Sequence, residues 1–266
     1  MSVLALTKLL MYLGTALLVG GVAARAWRPD NQPGGSWLAF GAGLISIGSL
    51  IQVGVTLFTL GYLTWPDVPV YLQQTVPGRA TLTVLLGTAL LLASALSRWP
   101  TWLSLLAAGT LLWGLGGLGH GATHGPSVRL LHAVHAGAMA VWLGGVLNLL
   151  GGPEERLPAL RRFRPVATVC VVILGVTGVV ATWEHAGGWP TLTTRYGQLL
   201  LLKLVFVVLA LAAAGVLRRF LAQRKQVYGL LSLELVLLGL IVTLTASLSV
   251  TPTPAHGTVP TYPLFG

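Results

Sequence analysis

Eight long apolar runs limit what this chain can fold into. Hydrophobic residues make up 55% of the 266 residues and charged residues only 8%, whereas a soluble domain carries about 25% charged residues. A helix needs about 20 mainly apolar residues to cross a membrane. We therefore predict an all-α, polytopic membrane helix bundle of about eight transmembrane helices, forming a single domain over residues 1–266. The apolar runs lie approximately at 3–27, 37–62, 81–96, 102–118, 128–150, 165–183, 196–220 and 227–250.

Positive residues are distributed unevenly between the two sides of this bundle. Cytoplasmic loops of membrane proteins carry an excess of Lys and Arg. Eleven lie in or beside the odd-numbered loops, namely Arg25, Arg28, Arg98, Arg156, Arg161, Arg162, Arg164, Arg218, Arg219, Arg224 and Lys225. Only three, Arg79, Arg129 and Arg195, lie in or beside the even-numbered loops. This asymmetry predicts cytoplasmic odd loops and places both termini on the outer side.

Several function classes are excluded by what the sequence lacks. The net charge of +10 is explained by topology, so we expect no nucleic-acid partner. The single cysteine, Cys170, rules out an intrachain disulfide, and no CxxC, Walker-type or HExxH motif occurs. We expect a protein that is not an enzyme.

The six histidines all fall at or near the predicted outer ends of the runs. His132 and His135 are three residues apart and share one helix face, which Met139 continues. The loop before them is short, so the fourth and fifth runs should be neighbours. The other members are His120 and His124 in that glycine-rich loop, His185 at the end of the sixth run, and His256 in the tail.

Six imidazole groups at the same predicted side of the membrane indicate a metal site. Imidazole suits Zn, Cu, Fe and Ni, and thioethers favour Cu(I). Asp67 and Glu184 are the only acidic residues near the outer side, which argues against a hard-cation site. We therefore predict copper, in an unspecified oxidation state. The predicted ligands are His120, His124, His132, His135 and His185.

Two further residues, His256 and Met139, are not interpreted as metal ligands. A single histidine near a membrane interface usually only places its polar edge in water, and we interpret His256 in this way. Met139 is interpreted as core packing.

Three ionisable residues lie within the apolar runs, where charge is costly. Lys8 and Lys203 lie towards the outer side and can extend their amines to the interface. Glu234 lies towards the inner end of the last run, where an ion pair with Arg218 or Arg219 is expected from an antiparallel hairpin. A proton-coupling role for Glu234 stays open.

Four segments and one acidic residue together resemble the CopD copper-resistance membrane family. Residues 131–145, LHAVHAGAMAVWLGG, resemble its motif of a histidine, a small apolar stretch and Trp-Leu-Gly-Gly. The segment 119–121 resembles its Gly-His-Ala, with Gly121 in place of Ala. The stretch 177–179 resembles its Thr-Gly-Val, and 194–203 its Thr-x-Tyr-Gly-x-Leu run ending in Lys. Glu234 resembles an acid of a late helix in that family.

The resemblance implies copper resistance and copper movement across the bacterial inner membrane, beside a periplasmic CopC-type copper-binding partner. It carries over His120 and His135 as metal ligands, whereas His124, His132 and His185 are proposed from placement alone. Two alternatives stay open. One is a membrane b-type cytochrome with histidine-ligated haem, and the other is a copper-binding module that does not transport.

Overall fold

The computed structural model describes residues 2–28, 34–62, 64–118, 125–151, 156–186, 194–219 and 224–251. These segments form nine helices and contain no strand, which confirms the all-α prediction. The helices are α1 (Val3–Ala23), α2 (Gly35–Leu60), α3 (Asp67–Gln74), α4 (Val76–Leu96), α5 (Thr101–Gly116), α6 (Pro126–Leu150), α7 (Arg156–Ala186), α8 (Arg195–Arg219) and α9 (Arg224–Leu248). A turn of 3-10 helix, Ala24–Ala26, extends α1.

The eight apolar runs correspond to all the helices except α3. Seven helices are long and apolar enough to cross a membrane, and α5 is a shorter apolar helix. The structure therefore confirms a polytopic membrane bundle. Helix α3 was not predicted, because its eight residues are too few and too polar to register as an apolar run.

Two helix starts were predicted too late. Helix α4 begins at Val76 because the Thr75 hydroxyl accepts a hydrogen bond from Gly78 N at 3.0 Å and caps the helix. Helix α7 begins at Arg156 rather than at Pro165, which lies inside it. Hydropathy locates the apolar part of a helix, and it misses polar turns that continue the same helix beyond the apolar run.

Helices α1 and α6 form the centre of the bundle. Helix α1 packs against α2, α4, α6 and α9, and α6 packs against α1, α5, α7 and α9. One apolar core lies among α1, α2, α4, α5 and α6. A second lies among α1 and α6–α9.

Glycines let α1 and α6 approach at backbone distance. A Cβ atom on Gly20 would lie 2.6 Å from the Ala140 carbonyl oxygen, and one on Gly144 would lie 2.7 Å from Gly20 Cα. Small residues allow this kind of contact between membrane helices. Near the other end of the pair, Arg28 Nη1 donates to the Asn148 carbonyl oxygen at 2.6 Å. Arg28 follows α1 and Asn148 is near the end of α6, so the two helices run parallel.

This parallel arrangement decides whether α5 crosses the membrane. Helix α1 ends on one side, and a parallel α6 must begin on the opposite side, so an odd number of crossings lies between them. Helix α3 is only about 12 Å long and cannot cross. Helices α2 and α4 account for two crossings, and α5 must supply the third. The described segments therefore contain eight membrane-crossing helices.

Candidate metal site

Helix α6 carries both histidines whose side chains the structure describes. It begins after Gly125, whose φ of 86° is readily adopted only by glycine, and Pro126 occupies the first turn. His135 is the tenth residue of α6 and lies about 13–14 Å along the helix axis. His135 is therefore farther from the start of the helix than its predicted position at or near the end of the apolar run. His132 lies one turn nearer the outer end, and both side chains are half-buried.

The ring of His135 contacts helix α7. Its Nδ1 atom forms a 2.8 Å hydrogen bond with Thr177 Oγ1. Thr177 is buried, and its hydroxyl donates to the Ile173 carbonyl oxygen at 2.6 Å. A Cβ atom on Gly178 would lie 3.9 Å from His135 Cε1, so the ring edge lies along the Thr177–Gly178 backbone. Both residues belong to the 177–179 motif, but nothing in the sequence indicates that they pair with His135.

Helix α8 contributes a cation to the same region. Lys203 is half-buried and lies close enough to His135 to interact with it electrostatically, as does His132. Met139, one turn beyond His135 on α6, is buried in the apolar core of α6–α9. Its packing there agrees with the interpretation of Met139 as a core residue.

A second polar contact lies two turns below His135. The Trp142 indole Nε1 on α6 donates to Glu234 Oε1 on α9 at 2.9 Å. Both side chains are 4% exposed, so the contact is buried in the apolar core. The predicted ion pair of Glu234 with Arg218 or Arg219 stays a prediction, because those arginine side chains lie outside the described residues.

The α5–α6 hairpin is held together by Arg129. Its Nε donates to the Trp113 carbonyl oxygen at 2.8 Å, and its guanidinium stacks 4.5 Å from the centroid of the Trp113 ring. A Cβ atom on Gly117 would lie 2.8 Å from Arg129 Cζ, so glycine leaves the space that the guanidinium fills. This contact fixes the two helix ends that residues 119–124 connect. It confirms that the fourth and fifth apolar runs are neighbours.

The other predicted ligands lie beyond what the structure describes. His120 and His124 are outside the described residues, and His185 is in the last turn of α7 with its side chain outside them. The tail residue His256, which was not a predicted ligand, is outside them as well. Within the described segments, no group of three His, Cys, Asp or Glu residues could hold a metal ion. The described ligand candidates are thus the pair His132 and His135.

Asp67, one of the two acidic residues predicted near the outer side, is already engaged in hydrogen bonds. The Asp67 carboxylate accepts hydrogen bonds from the backbone N–H and the hydroxyl of Thr64 at 3.0 and 2.5 Å. Its described hydrogen bonds therefore stabilise the turn that precedes α3.

Known proteins match part of this chain. Residues 157–248 match the family model described as "CopD: Copper resistance protein D". The chain is also 34% identical over 119 residues to "Inner membrane protein YebZ" of Escherichia coli (strain K12), which covers 39% of this chain and 41% of YebZ. The match thus spans less than half the length of this relative. No solved structure matches the chain.

The segment that matches the CopD model contributes residues on and near the candidate site. It runs from the start of α7 to the end of α9 and includes Thr177, Lys203 and Glu234. The histidines themselves are on α6, outside the matched residues. The membrane-crossing helices make the chain a multi-pass membrane protein, and it is similar to a relative that is named as an inner membrane protein.

Proposed function

We propose that this chain binds copper at the outer side of the inner membrane and moves it across, with copper as its substrate. The observation that carries the proposal is the placement of His135. Its imidazole reaches from α6 to α7, and its Nδ1 is hydrogen-bonded to the buried Thr177 of the segment that matches the CopD model. Metal-binding histidines commonly have such a partner on their second ring nitrogen.

The proposed ligand set extends from this pair towards the outer side. His132 and His135 lie on one face of α6, and His120, His124 and His185 complete the proposed set. Imidazole ligands suit copper. The role is non-enzymatic, and a periplasmic CopC-type protein is the proposed donor or acceptor of copper.

Copper binding to the purified protein in lipid nanodiscs tests the proposal. Both Cu(I), with a competing chelator, and Cu(II) are titrated into the wild type and into His132→Ala, His135→Ala and the double variant. We expect each single variant to weaken binding by at least about tenfold, since even changes to outer-shell partners of a metal cost about 10–100-fold. His256→Ala is the matched control and should bind like the wild type. Wild-type affinity in the double variant would refute the proposed site.

Transport and haem binding need separate readouts. Copper uptake into proteoliposomes should be present in the wild type and lost in His135→Ala. Binding without uptake would identify a non-transporting copper module instead. An absorption spectrum of the purified protein addresses the cytochrome alternative, because a Soret band that responds to reduction would identify haem.

A further inference from the structure

The hydrogen bonds around Thr177 define which nitrogen of His135 carries a proton. The hydroxyl group of threonine has a single hydrogen to donate. Thr177 Oγ1 lies 2.6 Å from the Ile173 carbonyl oxygen, and two oxygens this close need a hydrogen between them. A carbonyl oxygen cannot supply one, so the hydroxyl hydrogen points at Ile173. The second acceptor, the Leu174 carbonyl oxygen at 3.4 Å, lies on the same side.

Thr177 Oγ1 can then only accept from His135. The 2.8 Å contact between His135 Nδ1 and Thr177 Oγ1 requires a hydrogen on Nδ1. In a neutral imidazole with Nδ1–H, the other nitrogen, Nε2, keeps its lone pair. Free imidazole side chains in water favour the opposite tautomer, with the hydrogen on Nε2. The protein therefore has to impose this one.

We propose that Thr177 is a positioning residue that holds His135 as the Nδ1–H tautomer and leaves Nε2 as the metal-binding atom. The assignment of the tautomer stands on the hydrogen-bond geometry alone. The assignment of copper to Nε2 rests on the proposed function. Threonine is suited to this task because its own hydrogen is committed to the helix backbone, and its hydroxyl oxygen is left to act as an acceptor.

Nitrogen-15 NMR of histidine-labelled protein in nanodiscs tests the tautomer without copper. The His135 signals are assigned by their absence in His135→Gln. In the wild type we expect the Nδ1–H tautomer. Thr177→Val keeps the shape of the side chain but removes the acceptor, and we expect His135 to shift to the Nε2–H tautomer. Thr177→Ser restores the acceptor and should restore the wild-type spectrum.

Copper titration of the same variants tests the consequence for binding. Thr177→Val should bind copper about 10–100-fold more weakly, as found when partners of metal-bound histidines are removed, and Thr177→Ser should lie close to the wild type. Gly178→Ala is a control for local packing, because its methyl group would be 3.9 Å from His135 Cε1, an ordinary contact distance. It should leave both the tautomer and the affinity unchanged.

The outcomes separate the two proposals. A wild-type His135 with its hydrogen on Nε2 overturns the tautomer assignment, and this result needs no variant that folds. An unchanged Nδ1–H tautomer in Thr177→Val overturns the role of Thr177. If the tautomer behaves as expected but the wild type binds no copper, the proposed function fails and the positioning role of Thr177 stands.

Discussion

Three residues on three helices determine the chemical environment of the His135 imidazole. Thr177 on α7 occupies its Nδ1, Lys203 on α8 acts on it electrostatically, and His132 lies one turn away on α6. An isolated histidine near a membrane interface is ambiguous, because its polar edge can simply meet water. A histidine whose second nitrogen is engaged by a buried acceptor is arranged like a metal ligand.

Replacing Lys203 should strengthen copper binding. A positive charge near the proposed ligand opposes the arrival of a metal cation, because like charges repel more strongly inside a protein than in water. Lys203→Met should therefore tighten copper binding several-fold, as measured by chelator competition. Lys203→Arg keeps the charge and should not. Weaker binding in Lys203→Met would contradict this electrostatic role and indicate that the amine assists the metal.

The contact between Trp142 and Glu234 should contribute to stability rather than to metal affinity. Glu234→Leu leaves the buried indole N–H without this acceptor, which should lower the free energy of unfolding by about 1–2 kcal/mol. Glu234→Gln retains an acceptor oxygen and should lose less. Unfolding in mixed micelles measures both variants. If Glu234→Gln abolishes copper uptake while stability is retained, a proton-coupling role for Glu234 becomes the better explanation.

At the scale of elements, α6 joins the two halves of the bundle. Its outer end is held to α5 by Arg129, its Gly144 backbone contacts α1, and its opposite face presents His135 and Trp142 to α7 and α9. The rotation of α6 about its axis therefore determines which residues face the candidate site.

Enlarging Gly144 should separate α6 from α1. A Cβ atom at this position would lie 2.7 Å from Gly20 Cα and even closer to the Ala16 carbonyl oxygen, and neither backbone can yield. Gly144→Val should lower the free energy of unfolding by about 1–3 kcal/mol. Gly175→Val is the matched control, since a Cβ atom there meets nothing within 4 Å. Equal destabilisation of both variants would show that the intrinsic helix propensity, and not the helix contact, is responsible.

At the scale of the whole molecule, the charge asymmetry predicts the orientation, and the parallel pairing of α1 with α6 implies that α5 crosses the membrane. Only one native cysteine, Cys170, has to be removed before cysteines are introduced for labelling. Exposed positions lie before α3, after α4 and at the start of α6.

Labelling with a membrane-impermeant maleimide in intact spheroplasts tests both statements. In a Cys170→Ala background, Trp65→Cys and Ser127→Cys should react, and Ser97→Cys should react only after the membrane is permeabilised. All three positions are exposed. The reverse pattern would invert the predicted orientation. Reaction of Ser97 and Ser127 from the same side would contradict the crossing of α5.

The sequence by itself determined the helical architecture, because apolar length and composition are local properties that the membrane selects directly. It also identified α6 as the helix of the candidate site, through the spacing of His132 and His135. It missed the polar extension of α7 and the short α3, which have no apolar signal. Only the tertiary structure decided the partners, joining His135 to Thr177, Trp142 to Glu234 and Arg28 to Asn148 across 42, 92 and 120 residues. The physical reason is that such contacts depend on the rotation and register of whole helices. These are set by close approaches such as Gly20 with Gly144, and no local pattern along the chain encodes them.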